Sequence, residues 1–352
     1  MTDWMEYLKT AVAHEASDVF FVAGKSACQK REGHIYPMDE DRLMPADTER
    51  IITQIYQAAN RSMEQYFSRG DDDFSFTVPG LARFRVNTYR QRGSMAAVIR
   101  LVSFDIPDWE TLGIPAEVMA LAEQTSGMIL VTGTAGSGKT TTQACIIDRI
   151  NRTRDCHIVT LEDPIEYLHR HRRSIVSQRE VTIDTQDYIS ALRACVRQAP
   201  DVILLGEMRD AETMHTAMSA AETGHMVIAT LHTRGAVNAI DRIIDMFPST
   251  QQPQVRVQLA TVLKTVVSQQ LLPDRSGGMV PACEVMHMTG AIRSMIRDNK
   301  NHQIDNAIVS GGESGMISMD QAIAKLYREG KITKETALLY ADRPEQLKRN
   351  LT

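Results

Sequence analysis

The sequence predicts an α/β protein of two domains. Three observations carry that expectation. From about residue 113 onward, short apolar segments alternate with helical stretches, the pattern of a parallel sheet covered by helices. At one of these junctions Met128–Thr132 runs into GTAGSGKT, Gly133–Thr140, which fits the glycine-rich spacing of a phosphate-binding loop without a mismatch. Before residue 100 the pattern differs. Period-two runs flank Pro79-Gly80, so an antiparallel α+β unit precedes the parallel one.

With 352 residues the chain can bury two cores. Its 43% hydrophobic and 24% charged content is that of an ordinary globular protein. A net charge of −5 gives no global pull toward nucleic acid or anionic lipid. No apolar run approaches the roughly 18 residues of a membrane span. The start, MTDWMEYLKT, lacks the basic opening and apolar core of a signal peptide. Cys28, Cys145, Cys156, Cys195 and Cys283 are odd in number and scattered, which argues against a disulfide framework or a structural zinc site and for a reducing cytoplasm.

In order, Trp4–Glu15 carries a helical stripe, and Val19–Ala23 is a strand candidate. Residues 47–68 read as one helix. Asp73–Val78 and Ala82–Asn87 form a hairpin, and Ala96–Val102 adds a strand. The acids Asp71, Asp72 and Asp73 read as a solvated turn before that hairpin. Residues 1–100 are thus an N-terminal α+β domain. Residues 101–115, with two prolines and little periodicity, read as a linker. Residues 116–352 form the second domain. Its strands are expected at Met128–Thr132, His157–Leu161, Val202–Leu205 and Met226–Thr230, with helices over 141–150, 186–198 and 212–222 between them. After residue 237 the chain is expected to be helical, including one helix over Val255–Leu271.

The four strands carry the functional argument. The first enters the phosphate loop, the second ends in Glu162-Asp163, the third in Gly206-Glu207, and the fourth in His232. In a parallel sheet all four ends share the carboxyl edge, where ligands bind. Gly133, Gly136, Ser137 and Gly138 let backbone N–H groups converge on phosphate, with Thr141 in the first turn of the helix that follows. Lys139 reaches the β- and γ-phosphates, and Thr140 gives its hydroxyl to Mg²⁺. Asp201–Glu207, DVILLGE, has the form of a strand that brings an acid to such a loop, with Gly206 where an Asp usually stands. Glu207 is then the candidate for orienting the attacking water. Glu162 and Asp163 either hold Mg²⁺ or water, or simply start a turn before Pro164. His225 and His232 lie at opposite ends of one strand and do not share a metal. His232 is placed to sense the γ-phosphate. Arg83, Arg85, Arg90, Arg92 and Arg100 crowd the first domain, as a solvated strand face or as a source of phosphate-neutralising arginines. The basic run His169–Arg173 has no interleaved aromatics, so no direct nucleic-acid contact is expected.

Taken together these residues resemble the PilT family of type IV pilus motor ATPases, within the wider secretion ATPases. The similarity spans nearly the whole chain. It rests on Ala16–Asp18, Arg83–Asn87 and Arg92-Gly93 in the first domain, and on GTAGSGKT, Thr160–Glu166, Asp201–Arg209 and Gly224–Thr233 in the second. Gln178–Val181 and Ala291–Arg297 add to it. The resemblance implies a PAS-like N-terminal domain and a RecA-like P-loop ATPase domain with a helical C-terminal part. It implies ATP and Mg²⁺ as ligands, with Thr140, Glu162 and Glu207 around the metal and Glu207 as the catalytic glutamate. It places His232 near the γ-phosphate and has Arg85 and Arg100 reach ATP from the N-terminal domain. It also implies a homohexameric ring at the cytoplasmic face of the inner membrane, acting on a pilus platform protein to retract pili in twitching motility. Assembly and type II secretion ATPases carry an extra N-terminal domain and a four-cysteine zinc motif, neither present here, so the retraction branch is expected. Alternatives are an accessory paralogue that works beside the main motor, toward which residues 333–351 lean, and a related secretion or DNA-uptake ATPase.

Overall fold

The computed structural model describes residues 3–31, 33–102 and 105–351. They form two compact units, Met1–Asp105 with Glu166–Leu168, and Ile106–Ile165 with His169–Thr352.

The first unit is built on a six-stranded antiparallel sheet. Its strands are β1 (Asp18–Val22), β2 (Cys28–Arg31), β3 (His34–Pro37), β4 (Asp71–Val78), β5 (Ala82–Gln91) and β6 (Ser94–Val102), in the order β3-β2-β1-β6-β5-β4. The β5–β6 hairpin turns at Arg92-Gly93, where φ is +50° and +79°. Two positive-φ central residues match the right-handed twist of the flanking strands, and a glycine takes one of them without strain. β5 alternates strictly, with Phe84 and Val86 buried and Arg83 and Arg85 on the other face. The helices Trp4–Ala13 and Pro45–Ala58 contribute to the core beneath the sheet. Trp4, Phe76 and Phe84 stack in sequence there, at 6.2 and 5.4 Å between ring centroids. The expected helix over 47–68 is in fact two, Pro45–Ala58 and Glu64–Arg69. Asp71–Asp73 are not a solvated turn. They open β4, and Asp72 is buried between the Arg61 guanidinium, 2.8 Å away through both nitrogens, and the Tyr56 hydroxyl. A buried carboxylate is tolerable only when so paired.

The second unit has seven strands: β7 (Gly127–Thr132), β8 (His157–Glu162), β9 (Ile175–Glu180), β10 (Val202–Leu205), β11 (Met226–Leu231), β12 (Leu263–Pro273) and β13 (Met279–His287). Their order is β13-β12-β7-β11-β10-β8-β9, parallel except for the β12–β13 hairpin. β7, β10 and β11 are buried along their whole length, as continuous apolar strands covered on both faces must be. One face is covered by helices that include Tyr188–Cys195, Ala211–Glu222 and Ala236–Asp245. The other is covered by Lys139–Thr153 and residues 114–122. A third cluster packs Leu272 and Val280 under the C-terminal helices Met319–Arg328 and Lys334–Tyr340. Of the expected linker, 101 and 102 close β6 and 103 and 104 lie outside the described residues. Ile106, Trp109, Leu112 and Ile114 pack into the second unit's core.

One expected helix is corrected. Residues 255–271 are helical only to Val262, and from Leu263 the chain is extended as β12. Valines and threonines dominate the turn-over point, and both faces of the new strand are covered. Here apolar periodicity does not separate buried helix from buried strand, and β-branched content decides.

Candidate active site

The sheet order sets β7, β11, β10 and β8 side by side and parallel. Their carboxyl ends therefore bring the phosphate loop, His232, Glu207 and Glu162 to one edge.

The loop is formed and braced. Gly133, Gly136 and Gly138 have φ of +146°, +76° and +83°. Gly138 is the N-cap of helix Lys139–Thr153 and no side chain caps that end. The first-turn N–H groups are thus left to an anion. Lys139, largely buried, donates from Nζ to Gly133 O at 2.9 Å and Thr134 O at 2.8 Å. Ser137 is buried and its Oγ has no hydrogen-bond partner among the described residues. Thr140 and Thr141 follow in the first helical turn, both part-exposed.

Beneath the loop lies Gln269, from β12, which sequence reasoning missed. Its amide Nε2 donates to Ser137 O at 2.8 Å, and its Oε1 accepts from Thr142 Oγ1 at 2.7 Å. It is 2% exposed. A Cβ on Gly133 would meet Gln269 O at 2.3 Å, and one on Gly138 would meet Gln269 Nε2 at 2.8 Å. Gly133 and Gly138 are required by this close packing. The residue fell inside the segment read as helix, which hid it.

Glu162, at the end of β8, is buried. Its Oε1 accepts from Thr160 Oγ1 at 2.6 Å and from Gln178 Nε2 at 3.2 Å. Glu207 follows β10 and is 13% exposed. One oxygen is ion-paired to Arg209 and the other lies 3.5 Å from His232 Nε2. That pairing holds Arg209 above the ordinary guanidinium range. Asp210 then accepts from Thr213 N at 2.8 Å and caps the next helix. Asp201, at the other end of β10, accepts from His157 N at 2.8 Å and belongs to the scaffold. His225, at the amino end of β11, bonds Ala220 O at 2.9 Å, away from this edge. Among the described residues no three His, Cys, Asp or Glu side chains form a metal site by themselves.

Arg85 and Arg100 belong to the first unit. They are direct cross-strand neighbours on β5 and β6. Arg100 Nε donates to Asp18 Oδ1 at 3.0 Å, and Arg85 Nε to Asp73 Oδ1 at 3.1 Å. Two like charges facing each other across a ladder repel, and these carboxylates offset that repulsion.

The type II/IV secretion system protein family matches residues 2–343. Over 344 residues the chain is 40% identical to the type IV pilus retraction ATPase PilT of Pseudomonas aeruginosa, covering 97% of this chain and 99% of that one.

The chain belongs to the type II/IV secretion system family, in its PilT branch.

It is also 36% identical to the type IV pilus ATPase PilU of the same organism, over 98% of this chain and 90% of that one. The fold agrees with the crystal structure of the pilus retraction motor PilT with bound ADP at a TM-score of 0.91. There, at 44% identity, 99% of this chain and 100% of that one align. The expected architecture, an N-terminal sheet domain followed by an ATPase domain on a mostly parallel sheet, is the family's and is this chain's.

Proposed function

We propose that this protein is a P-loop ATPase whose hydrolysis of ATP powers type IV pilus retraction and twitching motility. The observation that carries the reading is the braced phosphate loop with Glu162, Glu207 and His232 at one edge of the parallel sheet. Family membership and the names of its relatives support the retraction role.

The loop passes a fit test for a nucleotide. It has a helix end with no side-chain cap, a lysine whose ammonium donates to two loop carbonyls, and glycines where a Cβ would fill the cradle. ATP phosphates replace Gly133 O and Thr134 O as partners of Lys139, a stronger charge-assisted bond. Glu207 orients the attacking water, and His232 holds Glu207 from the side facing the γ-phosphate. Glu162, fixed by Thr160 and Gln178, places a second carboxylate. Mg²⁺, held by Thr140 and the two glutamates through the phosphates, would supply charge neutralisation. Arg85 and Arg100 complete the site from the N-terminal domain of a neighbouring subunit in a homohexamer. The two domains move against each other during the cycle and so move a platform protein at the inner face of the membrane. Among the described residues no helix is long and apolar enough to cross a membrane.

The similarity to PilU favours one second reading, an accessory ATPase acting beside a main motor. Phosphate release is measured with and without Mg²⁺ over a range of protein concentration. Motility is measured in a twitching bacterium lacking its own retraction ATPase. Turnover with restored motility is expected. Turnover without motility, unless a second pilus ATPase is supplied, moves the assignment to the accessory role. Absence of turnover refutes both.

A further inference from the structure

Tyr188 opens the helix Tyr188–Cys195 behind the catalytic edge, and no motif singles it out. Its hydroxyl oxygen is buried and has no hydrogen-bond partner among the described residues. Native proteins leave few such groups, and each asks for an explanation. The hydroxyl lies against the strand end: a Cβ on Gly206 would come within 2.9 Å of it. This explains the glycine where phosphate-loop enzymes commonly carry an acid. A side chain at 206 would crowd the Tyr188 hydroxyl and stand tight against Leu161 O at 3.3 Å. The next residue along the chain is Glu207.

We infer that Tyr188 is a positioning residue for hydrolysis, its hydroxyl donating to the Glu207 carboxylate when Glu207 leaves Arg209 to face the water. The inference rests on the ATPase reading. A phenol has one proton to donate and a carboxylate has about four sites to accept it. Both Glu207 oxygens are engaged here by Arg209 and His232, which leaves acceptor capacity on each. Burial first, and then the negative charges of Glu207, Asp163 and Glu162, push the phenol above its ordinary pKa, while Arg209 opposes them. With an ordinary pKa of about 10, a phenol is a protonated donor near neutral pH. In the hydrolytic step the water oxygen bonds to the γ-phosphorus as the bond to the β–γ bridging oxygen breaks. ADP leaves with that oxygen, and the water's proton passes by Glu207 to the phosphate product. Tyr188 takes no proton in this sequence. It fixes the angle from which Glu207 holds the water.

The test is Tyr188→Phe, which keeps the ring and removes the donor. Single-turnover hydrolysis is measured by rapid quench, alongside affinity for fluorescent ADP and the melting temperature. Loss of one oriented donor at a reacting centre costs about 10²–10³ in rate. A donor acting through Glu207 is expected to cost about tenfold to a hundredfold. ADP affinity and melting temperature are expected to stay within about twofold and a few degrees. In a Glu207→Gln background the same substitution is expected to lower the residual rate no further, because groups acting as a unit are not additive. A wild-type rate in Tyr188→Phe overturns this inference alone. So does an equal loss of rate and ADP affinity, or full additivity with Glu207→Gln. An unaltered protein that does not hydrolyse ATP overturns the ATPase reading and this one together.

Discussion

Gln269→Leu separates the brace from the ligand it serves. The substitution keeps the volume and removes both ends of the amide. Ser137 O and Thr142 Oγ1 are then left without their partners at 2.8 and 2.7 Å, in a position 2% exposed. Each buried group so orphaned costs about 1–3 kcal/mol. Allowing for partial relaxation, the pair is worth about 3 kcal/mol. In a unit of this size that lowers the melting temperature by about 6–12 °C. The loop also loses the amide that holds Ser137 O and lies against Gly138, so part of the binding energy goes into re-forming it. Taking about 2 kcal/mol for that part, ADP affinity falls about thirtyfold. The assay is thermal unfolding with and without ADP. At 100 times the wild-type Kd, ADP stabilises the unaltered protein by about 2.7 kcal/mol and a thirtyfold weaker variant by about 0.9 kcal/mol. The expected signature is a lower melting point with an ADP-induced rise about one third of normal. A lower melting point with an undiminished ADP response would refute the brace and leave Gln269 a core residue only.

Other outcomes follow from the same geometry. Lys139→Ala is expected to abolish turnover and weaken ATP binding by more than about tenfold, since a charge-assisted phosphate contact is lost; normal phosphate release would remove the loop from the mechanism. Glu207→Gln is expected to keep ATP affinity within about threefold and cut single-turnover hydrolysis by about 10³; equilibrium binding and rapid quench read the two separately. Glu284 is buried, accepts from Ala236 N and Met319 N, and has its pKa pushed up to about 7 mainly by burial. The native state thus keeps a proton that the unfolded chain releases above about pH 4.5, so stability falls between about pH 4.5 and 7 and stays low above that. Glu284→Gln is expected to flatten that slope and to lower stability at pH 5, because its amide nitrogen cannot accept the second backbone N–H, read by urea unfolding at pH 5 and pH 8. Arg85→Ala is expected to bind nucleotide yet hydrolyse poorly, and to regain activity when mixed with Lys139→Ala protein; no regain would place Arg85 outside its neighbour's site.

The strands that bring chemistry to the edge were legible because each is a short apolar run that ends abruptly in polar residues. GTAGSGKT, Glu162, Glu207 and His232 could be placed from that alone. What could not be read were contacts made by residues of ordinary composition. Gln269 sits in a run whose apolar content suits a helix as well as a strand. Arg209 follows Glu207 as surface arginines commonly follow a strand, and only the fold turns it back onto the carboxylate. β9 is largely polar, with Val176 and Glu180 its buried positions, so it carries no period-two signal. Asp72 is hidden from sequence reading because the partner that neutralises it, Arg61, lies in the connection between helices Pro45–Ala58 and Glu64–Arg69.

Lys139 ends one exchange and begins the next. Its ammonium sits on two carbonyls of its own loop, which already satisfy part of its charge below the surface. Arriving phosphate must outbid those carbonyls, and departing phosphate returns the lysine to them. The loop thereby narrows the free-energy gap between its loaded and empty states. For an enzyme that repeats a stroke, that restraint matters as much as grip. A lysine with no resting place would hold its spent nucleotide and stall.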